Sequence, residues 1–256
     1  MIDGLSISPS SPAREHRTVS RVVAILERVA RGPGVRLADL ADLLDAPRSS
    51  VHGLVKGLVA TGYLTLAAGG YSIGPAVGAL LISTPPNINP VARPPMEALC
   101  SRFDETVMLA SRVGESVVYT DAVESQQVIR YSPPLHTRRP LYPTSAGCCF
   151  LAFDPQEYRE AFLHNSFSED DRRDLVRREL EQVRVAGVAM NNGRTLPDVS
   201  GVGAPIFYQD KMIGALCVAG PTTRLTDSLT EIGAATKAAA QEITRTLDHR
   251  AQAPGL

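Results

Sequence analysis

Two adjacent cysteines follow a run of small residues, and this segment combines residue types that could bind an anion or attack a substrate. The run is Thr144-Ser145-Ala146-Gly147, and Cys148 and Cys149 come directly after it. A helix beginning here would present unpaired backbone N–H groups, which bind carboxylates, and would lower the pKa of a nearby thiol. A catalytic cysteine also needs a positioned base, and neither His136 nor His164 lies in a motif. We therefore expect an anion-binding or an ordinary capped helix start, followed by buried, unreactive cysteines.

A second set of candidate residues lies on the outer face of a predicted helix that follows Pro47. The face carries hydroxyl, imidazole and basic side chains without a carboxylate. Short side chains let a helix approach DNA closely, and Arg or Lys can pair with a guanine edge or a phosphate. Gly53 and Gly57 each cost about 1 kcal/mol of helix stability, which is easier to explain if the backbone must approach a partner. A plain solvated helix face shows the same pattern in isolation. The candidate DNA-binding residues of this helix are Arg48, Ser49, Ser50, His52 and Lys56.

The elements around this helix favour a winged helix-turn-helix over residues 17–74. Apolar periodicity predicts helices over residues 19–30 and 37–44, and Pro47 ends the second. Alternation around Gly69-Gly70 predicts a hairpin of residues 63–66 and 71–73. The hydroxyl side chains near the helix starts predict N-caps at Thr18 or Ser20 and at Ser49 or Ser50.

Charge is distributed unevenly, although the net charge of −1 argues against a uniformly basic surface. Residues 1–75 carry eight Arg or Lys against six Asp or Glu, and no acid lies between Asp45 and Glu97. Repulsion of DNA phosphates is therefore absent around the predicted recognition helix. Arg17 and Arg21, at the start of the first helix, join the candidate DNA contacts, either as phosphate ligands or as solvated charges.

A connector over residues 75–95 separates this region from a second domain over residues 96–250. We expect a short apolar helix after Pro75, which could pair with the same helix of a second copy of the chain. The prolines that follow are expected to forbid a continuous helix before residue 96. Ser168 is expected to cap a long helix that Gly187 ends. Helices mixed with hairpins indicate an α+β domain on an antiparallel sheet. The predicted strands are residues 107–112, 116–121, 128–131, 202–208 and 212–219.

Composition indicates a globular protein of two domains, with 256 residues, 44% hydrophobic and 21% charged. A bilayer-spanning helix needs about 20 apolar residues, and no apolar run in the sequence approaches that length. Residues 1–16 have the composition of a disordered tail rather than that of a signal peptide. The four cysteines form no C-x-x-C pair, so we expect reduced thiols, no metal and a cytoplasmic location. Nucleotide-binding, hydrolase and metalloprotease motifs are absent from the sequence, which gives no support to an enzyme.

The order and spacing of several short motifs resemble those of the IclR-type bacterial transcriptional regulators over nearly the whole chain after the tail. In the first domain the motifs are SRV at 20–22, LADLA at 37–41, PRSSVH at 47–52, GY at 62–63 and YSIG at 71–74. In the second they are ETVML at 105–109, VYTD at 118–121, PLY at 140–142, SAG at 145–147, GVGAPIF at 201–207 and GAL at 214–216.

This resemblance implies a winged helix-turn-helix joined by a linker helix to a GAF-like (profilin-like) effector-binding domain. It implies a homodimer, or a dimer of dimers, on operator DNA, with a small-molecule carboxylate or aromatic acid as effector and without a cofactor or a membrane. The regulator would act as a repressor of a catabolic or metabolic operon. The matching effector-binding positions are Met108, Leu141, Ser145, Ala146, Gly147, Asn191, Gly201, Cys217 and Ala219.

The sequence departs from the family pattern at several of these positions. Gly53 stands where many members carry an arginine, and Cys148 stands where a lysine is usual. Asn191 replaces a frequent acid, while Gly201 and Ala219 replace small polar residues, which favours a larger or more apolar ligand. The alternative is a metabolite-binding or enzymatic domain for which the helix-turn-helix only supports dimers. That alternative predicts turnover lost on Cys148→Ala, whereas the basic, acid-free helix face favours DNA binding.

Overall fold

The structure is a computed structural model that describes residues 16–67, 69–80 and 87–252. The chain forms two compact units, Met1–Thr84 and Pro85–Leu256. The expected tail over residues 1–16 lies outside the described residues apart from His16.

The first unit is three helices and a hairpin, followed by one short helix, which confirms the winged helix-turn-helix. Apolar side chains from the first three helices and the hairpin, including Ile25, Leu40, Val55 and Tyr71, form one core. The hairpin pairs Leu64 with Ile73. The elements are α1 (Arg17–Ala30), α2 (Leu37–Leu43), α3 (Arg48–Ala60), β1 (Leu64–Ala67), β2 (Gly70–Ile73) and α4 (Ala76–Leu80).

The wing is attached to the segment after α1 by backbone hydrogen bonds. The Tyr71 N–H donates to the Val35 carbonyl at 2.8 Å, and the Val35 N–H donates to the Tyr71 carbonyl at 3.2 Å. The two segments approach so closely that a Cβ on Gly70 would lie 2.6 Å from the Gly34 carbonyl oxygen. Gly70 also has a φ of +119°, which a side chain would strain. A glycine is therefore required where the wing meets this segment.

The hydroxyl caps predicted for the first unit are wrong. Within the described residues, α1 follows His16 and α3 follows Pro47, and neither helix has a side-chain cap. The Pro47 carbonyl accepts hydrogen bonds from the Ser50 and Val51 N–H groups at 2.9 and 3.2 Å, so α3 begins ahead of the serines. Proline suits this position because its fixed φ directs the chain into the helix.

The second unit is an antiparallel six-stranded sheet in the order β5-β4-β3-β8-β7-β6, which confirms the α+β prediction. Alternate residues of its central strands pack on opposite faces, with α5 and α10 over one face and α6 and α8 over the other. The elements are α5 (Asn89–Phe103), β3 (Thr106–Val113), β4 (Ser116–Val123), β5 (Arg139–Pro140), α6 (Ser145–Phe153), α7 (Gln156–Ser166), α8 (Asp170–Ala186), β6 (Ala189–Leu196), β7 (Val199–Tyr208), β8 (Lys211–Pro221), α9 (Thr222–Leu225) and α10 (Leu229–Gln252).

The prediction that prolines forbid a helix before residue 96 is wrong. The helix α5 begins at Asn89 and carries Pro94 and Pro95 in its interior. Each proline removes a backbone hydrogen bond, but the apolar face that includes Val91 and Met96 is buried against the sheet. Tertiary burial therefore outweighs the local preference.

The predicted strand over residues 128–131 is also wrong. Val128 is 96% exposed and Ile129 is 73% exposed, and the segment pairs with no strand of the described sheet. Side chains hold its backbone instead, because Arg224 donates to the Ile129 carbonyl at 2.8 Å. An exposed apolar run of this length therefore shows the sequence pattern of a strand without forming one.

The long helix α8 ends at Gly187 as expected, with a φ of +67°, but the predicted cap at Ser168 is wrong. The helix begins at Asp170 after Glu169, and its first turn carries Asp170 and Asp171. These acids face the positive end of the helix dipole and stabilise the start without a hydroxyl cap.

Candidate functional site

The outer face of α3 presents every residue proposed for DNA recognition on that helix. Its opposite face is fixed in the core, since Val51 and Val55 are both 0% exposed. Arg17 on α1 is exposed and Arg21 is half-buried. Within the described residues, Arg48 and Lys56 form no ion pair, so both cations are available to phosphates. The exposed residues on α3 are Arg48, Ser49, Ser50, His52 and Lys56.

A cleft of about 380 Å³, including its open mouth, lies in the second unit beside the start of α6. Its walls come from the loop before α6 and from strands β4, β6, β7 and β8. Its lining residues are Tyr119, Tyr131, Arg139, Thr144, Ser145, Asn191, Thr195, Leu196, Val199, Ser200, Gly201 and Ala219.

Four of the nine expected effector positions line this cleft, namely Ser145, Asn191, Gly201 and Ala219. The other five are buried and do not line the described cleft. Of these five, all but Gly147 belong to the apolar cluster that Tyr119 and Ala219 share. They are Met108, Leu141, Ala146, Gly147 and Cys217.

The start of α6 is a capped helix that two glycines allow to pack closely. The Thr144 hydroxyl accepts a hydrogen bond from the Gly147 N–H at 3.1 Å and donates to the Leu141 carbonyl at 2.9 Å. A Cβ on Gly147 would lie 1.9 Å from the Leu141 oxygen, and one on Gly203 would lie 3.0 Å from the Ser145 carbonyl. The ordinary capped start is thus present, and its cap occupies one of the N–H groups considered for anion binding.

Asn191 lines the cleft, but its amide is engaged within the protein. Its Nδ2 donates to the Pro143 carbonyl at 2.6 Å and to the Thr195 hydroxyl at 2.5 Å, while its Oδ1 accepts from the Arg194 N–H at 2.9 Å. The bond to Pro143 attaches β6 to the loop before α6, and the other two lie within β6. Asn191 therefore shapes the cleft wall more than it offers a free polar group.

Arg139 contributes the charge of the cleft, and sequence reasoning missed it. Its guanidinium lies 5.6 Å from the centre of the Tyr119 ring, and its Nε is buried without a hydrogen-bond partner among the described residues. Tyr131 also lines the cleft, from the segment mistaken for a strand. The VYTD motif draws attention to Tyr119 in the sequence, whereas the only sequence feature that points to Arg139 is its position directly before Pro140.

The cysteines are buried free thiols, as expected from the sequence. Burial raises the pKa of Cys148 to about 12, with the nearby Glu179 carboxylate as a smaller cause. Burial also raises the pKa of Cys217 to about 12, because its effect exceeds that of a hydrogen bond with Ser145, which lowers the pKa. Burial likewise raises the pKa of Cys149, so the buried thiols are poor sources of thiolate near neutral pH and the structure disfavours cysteine catalysis.

The described residues form neither a metal-binding cluster nor a membrane-spanning helix. No group of three or more His, Cys, Asp and Glu side chains is placed to hold a metal ion there. No helix in that part of the chain is long and apolar enough to cross a membrane.

A winged helix-turn-helix in one unit and an open cleft in the other are the parts of a DNA-binding transcriptional regulator. Family models match both parts: the IclR helix-turn-helix domain over residues 18–67 and the C-terminal domain of the bacterial transcriptional regulator IclR over residues 83–245. The chain belongs to the IclR family. It is accordingly a transcriptional regulator of the DNA-binding type and not an enzyme.

Individual relatives agree with this assignment. The HTH-type transcriptional regulator KipR of Bacillus subtilis is 28% identical over 92% of this chain and 98% of its own. The transcriptional repressor IclR of Escherichia coli is 26% identical over 89% of each chain. An IclR homologue from Microbacterium hydrocarbonoxydans, solved in complex with 4-hydroxybenzoate, shares the fold with a TM-score of 0.69 and 22% identity over 92% of this chain and 100% of its own.

Proposed function

We propose that the protein is a cytoplasmic repressor of a catabolic or metabolic operon, whose affinity for operator DNA changes when a small organic acid occupies the cleft. The observation that carries this proposal is the open cleft of about 380 Å³ with Arg139 in its wall, beside the start of α6. The Microbacterium homologue that holds 4-hydroxybenzoate supports a carboxylate or aromatic acid as effector. The named repressor among the relatives supports repression.

The DNA-binding role rests on the exposed, acid-free face of α3. Arg48 and Lys56 would contact phosphates or guanine edges, and Ser49, Ser50 and His52 would lie close to the bases. A homodimer, or a dimer of dimers, would present two such helices to two half-sites of the operator.

Effector control requires that the acid bind two states of the protein with different affinity. A ligand that binds one state more tightly moves the population toward that state, and the coupling is reciprocal. DNA that favours the unliganded state would therefore weaken effector binding by the same factor.

Fluorescence anisotropy with DNA from upstream of the gene and its neighbours tests the DNA-binding half of the proposal. We expect binding that weakens as salt rises, with a slope about 1.8 smaller in an Arg48→Ala/Lys56→Ala variant if both cations meet phosphates. The control variant is Arg178→Ala/Lys211→Ala, which removes two exposed cations of the second unit. Binding that is insensitive to salt, or equal in the wild type and the α3 variant, would contradict the proposal.

Thermal-shift screening of small acids tests the effector half. A ligand at about 100 times its Kd stabilises the folded state by about 2.7 kcal/mol and raises the unfolding temperature. Each acid that raises this temperature is then added to the DNA complex, and we expect the anisotropy to change. Acids that bind the protein without altering operator affinity would refute the effector role.

A further inference from the structure

Arg139 is the single charged residue among the described residues that line the cleft. It forms no ion pair with a described carboxylate, and its buried Nε has no hydrogen-bond acceptor there. Leaving a buried charged donor unpaired costs more than leaving a neutral one unpaired. The protein therefore places a guanidinium with an unpaired, buried Nε–H at a cavity wall, where an incoming anion would supply the missing acceptor.

Two aromatic rings flank this cation. Tyr119 is 6% exposed beneath the guanidinium, and Tyr131 lines the same cleft. Burial raises the pKa of both phenols, so both remain neutral near pH 7 and neither neutralises Arg139. Flat rings offer a planar ligand stacked or edge-to-face contacts.

The other polar groups of the cleft are mostly engaged within the protein. Asn191 is satisfied as described, and the Ser200 hydroxyl contacts the Asn192 amide oxygen at 2.8 Å and the Thr222 hydroxyl at 2.9 Å. The site therefore offers one cation with little further hydrogen bonding. That combination suits a single carboxylate on an apolar body better than a dicarboxylate or a sugar.

We propose that Arg139 is the specificity-determining residue of the cleft and selects an aryl monocarboxylate, with the carboxylate on the guanidinium and the ring beside Tyr119 and Tyr131. This inference rests on the proposed function, because it concerns the same cleft.

Isothermal titration of the full chain with benzoate, 4-hydroxybenzoate and benzamide tests the proposal. Benzamide has the shape of benzoate without its charge, so the ratio of the two affinities measures charge recognition. We expect the wild type to prefer benzoate by about tenfold or more, and Arg139→Gln to reduce this preference to about threefold or less. Arg139→Lys keeps the charge without the planar fork and should retain part of the preference.

Arg138→Gln is the matched control, because Arg138 is the neighbouring, exposed arginine and donates to the Val113 carbonyl at 3.1 Å. It should keep the preference of the wild type for benzoate. If Arg139 had only a structural role, Arg139→Gln would weaken the binding of benzoate and benzamide equally. The variant's unfolding temperature without ligand would then be lower than that of the wild type. An unchanged preference in Arg139→Gln would overturn the proposal, as would a wild type that binds neither acid.

The two proposals fail separately. Acids that bind through Arg139 without altering operator affinity would refute the effector role and leave the assignment of Arg139 intact. Acids that alter operator affinity equally in the wild type and Arg139→Gln would refute the assignment of Arg139 and leave the regulator intact.

Discussion

Replacing Gly53 and Gly57 with alanine separates what α3 needs for stability from what it needs for DNA binding. A Cβ built at either glycine meets no atom within 4 Å, so internal packing does not require the missing side chains. Each alanine should stabilise the helix by about 1 kcal/mol, or about 2 kcal/mol for the pair. Hydrogen exchange of the α3 amides should slow by about 30-fold, because local opening becomes rarer by that factor.

The same double variant should bind operator DNA less tightly. If the glycines allow the backbone to approach the groove, two methyl groups would hold it away, and we expect a loss of about tenfold or more. The salt slope should stay nearly unchanged, because Arg48 and Lys56 remain. Gly78→Ala is the control, since Gly78 lies in another helix and also has no atom within 4 Å of its Cβ position. A double variant with slower exchange and undiminished operator affinity would refute the close-approach explanation.

Three further predictions concern the second unit. Arg224→Met should lower the free energy of unfolding, measured in urea, by about 3 kcal/mol, because Glu105 is 5% exposed and would lose its bidentate partner. A decrease of less than about 0.5 kcal/mol would contradict this prediction. The four cysteines should react slowly with a thiol reagent at pH 8 and readily in urea, and one fast-reacting thiol in the folded protein would show that burial does not protect it. Hydrogen bonds, chiefly from Gln127, lower the pKa of Asp104 in the folded protein. Ionised Asp104 therefore stabilises the folded state above the unfolded pKa of about 4, and this stabilisation is lost as pH falls through the folded pKa. Amide exchange of residues 125–127, corrected for the intrinsic rate, should therefore accelerate below about pH 4, and a pH-independent protection factor would disprove the link.

The first unit was predictable because its elements follow simple periodicities. Buried residues such as Leu40, Val51 and Val55 repeat at helical spacing, and Gly70 marks the hairpin. The caps were not predictable from residue type alone. At α3 the serines are good N-cap residues, but Pro47 precedes them and its carbonyl already accepts the N–H groups of Ser50 and Val51.

The strand β6 escaped sequence reasoning because its pattern lacks a continuous apolar face. It contains Asn191, Asn192 and Gly193, and Gly193 has a φ of +67° where the register with β7 shifts. A bulge of this kind interrupts the alternation that identifies a strand. The cleft residues Asn191 and Thr195 therefore lie on an element that local preference does not reveal.

Tyr131, one of the rings of the cleft, lies outside the sheet, whereas Arg139 belongs to the two-residue strand β5 at the sheet's edge. Tyr131 follows a segment that the sheet does not pair, and the segment is held by side chains of its neighbours. Arg224 links Glu105 to the Ile129 carbonyl, and Glu124 accepts hydrogen bonds from Ser132 and Arg130. Since these anchors do not depend on the strand register, we expect a substitution at Tyr131 to leave the sheet intact. The fold followed from periodicity, whereas Arg139 lies on a two-residue strand and Tyr131 on an unpaired segment, where no periodicity marks a residue as part of a site.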